Sequence, residues 1–372
     1  MTRILFVTPH AGGNVPPTLA VAGTLSERGH DVRVLGHPQL ASTVAAAGIS
    51  FSSFRHARPW SPHSANPGLR SMLQWLRVAS DRGIATDLTS ELERSAADVV
   101  VVDCMTPVAL GAARRSGAGV VLLMHAFSGY WTSQWSTTSP IGMWLRLTRT
   151  HPTRCPADCA IVTTAPELDR VRADLVPARG VHQTGPIVPP VHRPAQLRDD
   201  DPVLVSFSTI SYPGQQDALQ RTLDAIAGLP MTAVATMEPL LASGLRVPPN
   251  VELRRPEPHA DVLPGVRLLI GHGGHGTTMA ALAHGVPVLV MPMSRHADQP
   301  LVGTAVARAG VGLEVSRRAS VHDIRQAIQA VLSKPAYAAR AAEMGKPFRD
   351  GAGARDAADH ILEAASDRAA GS

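Results

Sequence analysis

The sequence is short of cysteine, of lysine and of long apolar runs, and each shortage removes a class of protein. Three cysteines, Cys104, Cys155 and Cys159, form neither a disulfide framework nor a C-x-x-C pair, so a reducing cytoplasm is the expected compartment. Cys155 and Cys159 lack two obvious partners for a metal and read as ordinary thiols. No charged n-region precedes an apolar h-region, so no signal peptide is expected. No apolar run reaches the roughly 18 residues of a transmembrane helix. Arginine heavily outnumbers lysine, a bias that fits a GC-rich genome better than a function. The net charge of +5 is spread thinly, with basic runs no longer than pairs such as Arg114-Arg115, so no nucleic-acid stripe is present. That charge still suits an anionic small ligand. No Gly-Lys-Ser/Thr occurs, which excludes a P-loop.

What is present is a repeated alternation. At 372 residues the chain suits about two domains. The runs "ILFV", "DVRVLG", "DVVVVD" and "GVVLLM" are continuously apolar, with helical stretches between them. Strands of that kind are parallel and covered by helices on both faces. After residue 200 the pattern restarts with "PVLVSFS", "MTAVAT", "VRLLIG" and "VPVLVMP". Between the halves lies "TGPIVPPVHRPAQLRDDDP", rich in proline and acid as a linker is. The expected fold is α/β, two doubly wound Rossmann-like domains facing a central cleft. The expected boundaries are 1–190, a linker at 191–202, and 203–350. Ligands in such sheets bind beyond the carboxyl ends of the strands, where the loops 8–17 and 271–278 fall.

The second of these loops belongs to "LLIGHGGHGTTMAALAHGVPVLVMP", residues 268–292, which reads strand, glycine-rich turn, helix, strand. Gly273, Gly274 and Gly276 permit close backbone approach, and Thr277 or Thr278 is placed to cap the helix. A helix N-terminus offers unpaired N–H groups and about half a positive charge, the physical requirement of a diphosphate site. His272 and His275 admit a metal, a phosphate-donating and a structural reading; with no cysteine or acid close by, zinc is the weakest of these. All five tryptophans lie in the first half, three of them crowded into "YWTSQWSTTSPIGMW". They fit core aromatics and an aromatic acceptor pocket equally well.

"HGGHGT", then "GVPVLVMP" and Asp298-Gln299, resembles the donor signature of family 1 glycosyltransferases of the GT-B fold, in their bacterial natural-product (antibiotic) branch. "GGNVPPTLAVAGTLSERGHDVRVLG", "TGPIVPP" and "RPEPHADVLPGV" resemble that family's opening strand-loop-helix, its linker and its base-holding segment, so the likeness spans nearly the whole chain. The resemblance implies an inverting transfer from a nucleoside-diphosphate sugar to a small hydrophobic aglycone, without metal or other cofactor. It implies diphosphate contacts from His272, Gly273, Gly274, His275, Gly276 and Thr277, joined by Ser208 and Thr209. Pro258 and His259 would lie against the base, and Asp298 and Gln299 would bind sugar hydroxyls. Trp60, His125, Trp131 and Trp135 are the candidate acceptor contacts. A terminal helix at 351–372 would return to the first domain. No nucleic acid or integral membrane segment is expected, and a homodimer is compatible with the pattern. One departure is Ala280, where the family often carries a ribose-binding Glu. A TDP sugar has one ribose hydroxyl fewer than a UDP sugar, so this loss tilts the expected donor toward a TDP-deoxysugar.

The other departure lies in "TPHAGGNVPP", residues 8–17. Many family members have a histidine at the position of Asn14, held by an aspartate at a later strand end, and here "DVVVVDC" puts Asp103 at that later place. An amide is no general base near pH 7. Four accounts remain open: His10 as substitute base, Asp103 acting directly, an acceptor acidic enough to need little help, or an inactive enzyme. General-base catalysis contributes about 10²–10⁴-fold, and a phenol with a pKa near 10 forgoes much of that. An aromatic or acidic acceptor, or His10, is therefore favoured.

Two other classes compete: a catalytically impaired auxiliary or binding protein of the same fold, which Asn14 favours and the intact "HGGHGT" disfavours, and a nucleotide-sugar epimerase, which would need no acceptor pocket. A nicotinamide oxidoreductase fits poorly, because "HAGGNVPP" lacks the third glycine of G-x-G-x-x-G and carries prolines at its helix start.

Overall fold

The computed structural model describes residues 1–60, 69–192, 194–208 and 212–370. The described residues form two sheets whose neighbouring strands are all parallel. The first contains β1 (Arg3–Thr8), β2 (Asp31–Gly36), β3 (Ser50–Ser53), β4 (Val99–Asp103), β5 (Gly119–Met124), β6 (Ala157–Val162) and β7 (Ala178–Gln183), in the order β3-β2-β1-β4-β5-β6-β7. The second contains β8 (Val203–Ser206), β9 (Ala233–Thr236), β10 (Val251–Arg254), β11 (Leu268–Gly271), β12 (Val288–Val290) and β13 (Gly312–Glu314), in the order β10-β9-β8-β11-β12-β13. The fold is thus two doubly wound α/β units.

Continuous apolar strands let each sheet bury both faces. Along β1, Ile4 and Phe6 enter one core cluster while Leu5 and Val7 enter another. Along β4, Val99 and Val101 join the first cluster, and Val100 and Val102 the second. That is the two-residue period of a strand applied to a sheet covered twice. The first cluster is closed by the helix Val15–Glu27 and by the long helix Ala352–Ala370, whose Ala357, Ala358, Ile361, Ala364 and Ala365 pack beneath β4, β5 and β6.

The chain divides into two compact units, Met1–Ile187 with Ala352–Ser372, and Val188–Gly351. The stretch expected as a linker, 191–202, lies in the second of these. Val191 N–H donates to Arg349 O at 2.7 Å and Ala195 N–H to His284 O at 2.9 Å, which ties it down locally.

In each sheet the strand order reverses once, between β1 and β4 in the first and between β8 and β11 in the second. A reversal leaves the loops on either side of it diverging, which opens a crevice at the carboxyl ends of the strands. Residues 8–15 and 103–109 leave the first switch point; 207–208 and 271–275 leave the second.

Ile361 is fully buried under the first sheet. Ile361→Ala should lower the stability of the first unit by about 2–5 kcal/mol. Urea unfolding followed by tryptophan fluorescence should show it, since all five tryptophans are in that unit.

Candidate active site

At the first switch point a single carboxylate collects donors from three strand ends. Asp103 ends β4 and is 2% exposed. Its Oδ2 accepts from Thr8 Oγ1 at 2.9 Å and from Asn14 Nδ2 at 2.8 Å. Its Oδ1 accepts from Met105 N–H at 2.9 Å and lies 3.0 Å from His125 Nε2. Burial alone would raise the pKa of this acid; the His125 imidazole, the Met105 N–H and Asn14 together outweigh burial and hold it below its ordinary value. All four acceptor positions are occupied and the group is a weak base, so Asp103 is poorly suited to take a proton itself.

Asn14 is equally committed. Its Nδ2 stands 2.8 Å from Thr8 Oγ1, from Pro9 O and from Asp103 Oδ2, and its Oδ1 accepts the Ala11 N–H at 3.1 Å. The side chain closes the turn that Gly12 opens with a φ of 82°, and no polar group on it is left for a substrate. Pro16 and Pro17 follow in the first turn of the helix Val15–Glu27, where a missing N–H costs nothing. His10 is placed otherwise. Its backbone N–H donates to His37 Nδ1 at 3.2 Å.

The imidazole beside Asp103 is His125, which follows β5 and is 8% exposed. Because a carboxylate only accepts, Nε2 carries the proton that joins them. Cys104 Sγ is 3.6 Å from the same Nε2. Desolvation works against a charged imidazole here, but Asp103 and Cys104 overcome it and lift the His125 pKa well above 6.5. Burial pushes the Cys104 thiol up. One ligand atom from each of these three residues lies within 4.8 Å of the others. The carboxylate's lone pairs are already spent on protein donors, so the cluster is built as a hydrogen-bond network. Asp169 fixes the segment downstream: it accepts Ser128 N–H at 2.6 Å, Ser128 Oγ at 2.9 Å and Thr164 Oγ1 at 2.9 Å.

The tryptophans expected at an acceptor divide. Trp60 and Trp135 belong to the hydrophobic core, and Trp131 packs against it, stacked on Trp135 at 5.6 Å between ring centroids. The Trp131 indole Nε1 is buried without a partner among the described residues.

At the second switch point the glycines are required by the backbone. A side chain at Gly271 would stand 2.8 Å from Ser206 O on the neighbouring strand. Gly273 has a φ of 80°, and a Cβ there would reach Val290 Cγ1 at 2.6 Å and Gln299 O at 3.2 Å. Gly276, by contrast, faces open space. Gly274 is the N-cap of the helix His275–His284 and provides no side-chain cap. Thr277 and Thr278, expected as caps, fall within the first turn instead, beyond the position from which a side chain can cap. Gly276 and Thr277 lie in the first turn of this ten-residue helix, where a backbone N–H has no intrahelical acceptor.

Histidines flank these donors. Burial, reinforced by His259, pushes the His272 pKa down to about 4, and its Nδ1 is buried without a partner among the described residues. His259 follows the exposed Pro258, is also depressed by burial, and sits 3.3 Å from Ser206 Oγ through Nε2. Asp298 and Gln299 open the helix Gln299–Ala309, and the Gln299 backbone abuts Gly273. Gln299 Oε1 is taken by Met293 N–H at 2.7 Å and Ser294 N–H at 3.0 Å, so only its amide N–H groups could face a ligand. Tyr212 was not legible in the sequence. Its half-buried phenol is hydrogen-bonded to Gln299 and Ser208 and lies near Asp298, joining the loop after β8 to the start of the helix Gln299–Ala309. Thr209 lies outside the described residues.

Known proteins share the two-unit α/β fold of this chain. A family model described as "Erythromycin biosynthesis protein CIII-like, C-terminal domain" matches residues 220–353. The chain is 29% identical over 430 residues to 4'-demethylrebeccamycin synthase of Lentzea aerocolonigenes, covering 95% of this chain and 96% of that one. It is 41% identical over 133 residues to elloramycin glycosyltransferase ElmGT of Streptomyces olivaceus, covering 34% of this chain and 33% of that one. The solved structure of glycosyltransferase VinC in complex with DTDP superposes with a TM-score of 0.74 at 18% identity, over 98% of this chain and 100% of that one.

The Asp103–His125 pair predicts a pH window. A raised histidine contributes stability fully below 6.5 and loses it as pH climbs through the elevated pKa; a depressed aspartate contributes above 3.8 and loses it as pH falls. The stability gap between the wild type and His125→Gln should be widest between pH 3.8 and 6.5 and narrow on both sides. Thermal melts across pH check it, and a gap that widens toward alkaline pH would contradict the pairing.

Proposed function

Since the chain belongs to the family 1 natural-product glycosyltransferases of the GT-B fold, we propose that it transfers a sugar from a nucleoside-diphosphate sugar to a small aromatic or acidic acceptor, inverting the anomeric carbon. The observation that carries this reading is the helix N-terminus after the loop His272–Gly274, which has no side-chain cap and stands beside an imidazole that burial keeps neutral. Such a cradle binds a diphosphate and strengthens its hold as negative charge collects on the departing oxygen. Backbone N–H groups and the His272 imidazole supply that stabilisation without a cation, which supports a metal-independent transfer.

Asp298 and Gln299 are the proposed sugar contacts, supported by the junction of Gln299 with Gly273. Pro258 and His259 are the proposed base contacts. Ala280 supports a TDP-deoxysugar in preference to a UDP sugar, because no carboxylate stands at that turn of the helix for a second ribose hydroxyl. The DTDP bound to the structurally similar VinC supports the same choice.

Two outcomes test the donor half. TDP-glucose, whose diphosphate diester does not titrate near neutrality, should raise the melting temperature in the presence of EDTA, and more than UDP-glucose does. Its affinity should grow as pH falls from about 8 to about 6, because an anion beside His272 lifts a pKa that starts near 4 and binding then takes up a proton. Calorimetry in two buffers of different ionisation enthalpy reads that uptake, and zero uptake would remove His272 from the diphosphate.

The second outcome concerns the sugar. Asp298→Asn should weaken TDP-glucose by about 1–3 kcal/mol while leaving free TDP nearly unchanged. Equal losses for both ligands would make Asp298 structural.

A further inference from the structure

We propose that His125 takes the acceptor's proton, with Asp103 as its positioning residue. The inference rests on the glycosyltransferase reading and identifies the base that position 14 no longer supplies. Four observations carry it. Asp103 is spent as a base, Asn14 is spent as a hydrogen-bonding group, and the four acceptor positions of Asp103 are taken by Thr8, Asn14, Met105 and His125, which leaves none for His10. Among the described residues His125 alone combines an imidazole with that carboxylate, at 3.0 Å, just past the end of β5, the strand beside β4.

The orientation follows from the same bond. Nε2–H points at Asp103 Oδ1, so in the neutral ring Nδ1 holds the lone pair. Nδ1 accepts no hydrogen bond from any described residue, and it is not among the polar atoms sealed from solvent. The titratable groups facing the ring are Asp103 and Cys104, both from the end of β4. From the β1 side, the uncharged Thr8 and Asn14 reach Asp103. Downstream, Asp169 holds Ser128 and so fixes the direction in which the chain leaves His125.

The step balances without a further reactant. The acceptor O–H proton passes to Nδ1. The oxygen's electron pair forms the bond to the anomeric carbon as the bond from that carbon to the diphosphate oxygen breaks, its pair leaving with the nucleoside diphosphate. The imidazolium, neutralised by Asp103, then releases its proton to water. The raised basicity of His125 favours accepting that proton from a phenol, and it places the acid limb of the rate profile above 6.5.

The test uses the full chain with TDP-glucose and UDP-glucose as donors, and 4-nitrophenol, 4-methoxyphenol and an aliphatic alcohol as acceptors. His125→Ala should lose about 10²–10⁴-fold in kcat with the less acidic acceptors and much less with 4-nitrophenol. Added imidazole should restore part of the loss, and TDP should stabilise the variant as it does the wild type. Asp103→Asn should move the acid limb down toward 6.5, which a merely structural residue would not do. His10→Ala should leave the limb in place. A wild-type limb that follows each phenol's own pKa, or a His125→Ala variant that keeps the wild-type rate and limb while binding TDP, would overturn the assignment and leave the transferase reading standing. Wild type that binds TDP yet glycosylates none of the three acceptors with either sugar would overturn both.

Discussion

The carboxylate of Asp103 is the constraint on which the first unit's chemistry depends. It is buried, ionised and surrounded by donors from the ends of β1, β4 and β5 and from the loop after β1. A charge in that position must be neutralised or fully hydrogen-bonded, since an unpaired buried carboxylate is among the costliest defects a core can contain. The surrounding sequence answers that demand. Thr8, Asn14 and the Met105 N–H satisfy three lone pairs, and the fourth draws His125 into a fixed tautomer. The glycine turn, the prolines behind it and the short loop after β4 are therefore parts of one local solution.

The second switch point places a different demand on the sequence. Three residues around it, Ser206, Val290 and Gln299, stand so close to the backbone that a Cβ at Gly271 or Gly273 would collide with them. The helix behind begins without a side-chain cap, and the nearest imidazole is kept uncharged by burial. One sheet thus buries a charge and surrounds it, while the other presents the positive end of a helix dipole.

Much of this was legible in the residue order. All eight apolar runs became strands, because a strand covered on both faces must be apolar at every position. The shorter β3, β10 and β13 were not anticipated: each is at or beside polar residues on a sheet edge, where "SFSS" or "VELR" needs only one neighbour and one covered face. β6 and β7, "ADCAIV" and "ARGVHQ", were hidden by their alanine, glycine and charge. At the site, the pairing of Asn14 with Asp103 could be read from a resemblance. The partnership of Asp103 with His125 could not, since it depends on β4 and β5 being neighbours in exact register, Asp103 opposite Leu123. Tyr212 was missed for the same reason: nothing local in "SYPGQQ" signals that its hydroxyl reaches Gln299, dozens of residues on.

The helix Ala352–Ala370 closes the core beneath β4, β5 and β6, although it is separated from them in sequence by the whole second unit. As the chain leaves the ribosome, the first sheet therefore emerges with Val99, Val101, Val121 and Ile161 lacking that cover on one face. The unit at 188–351 has all its pieces earlier than the unit that precedes it. The order of completion reverses the order of synthesis: the second unit can finish folding while the first waits for its last helix. During that interval the exposed valine- and isoleucine-rich face is the surface most open to aggregation and to chaperones.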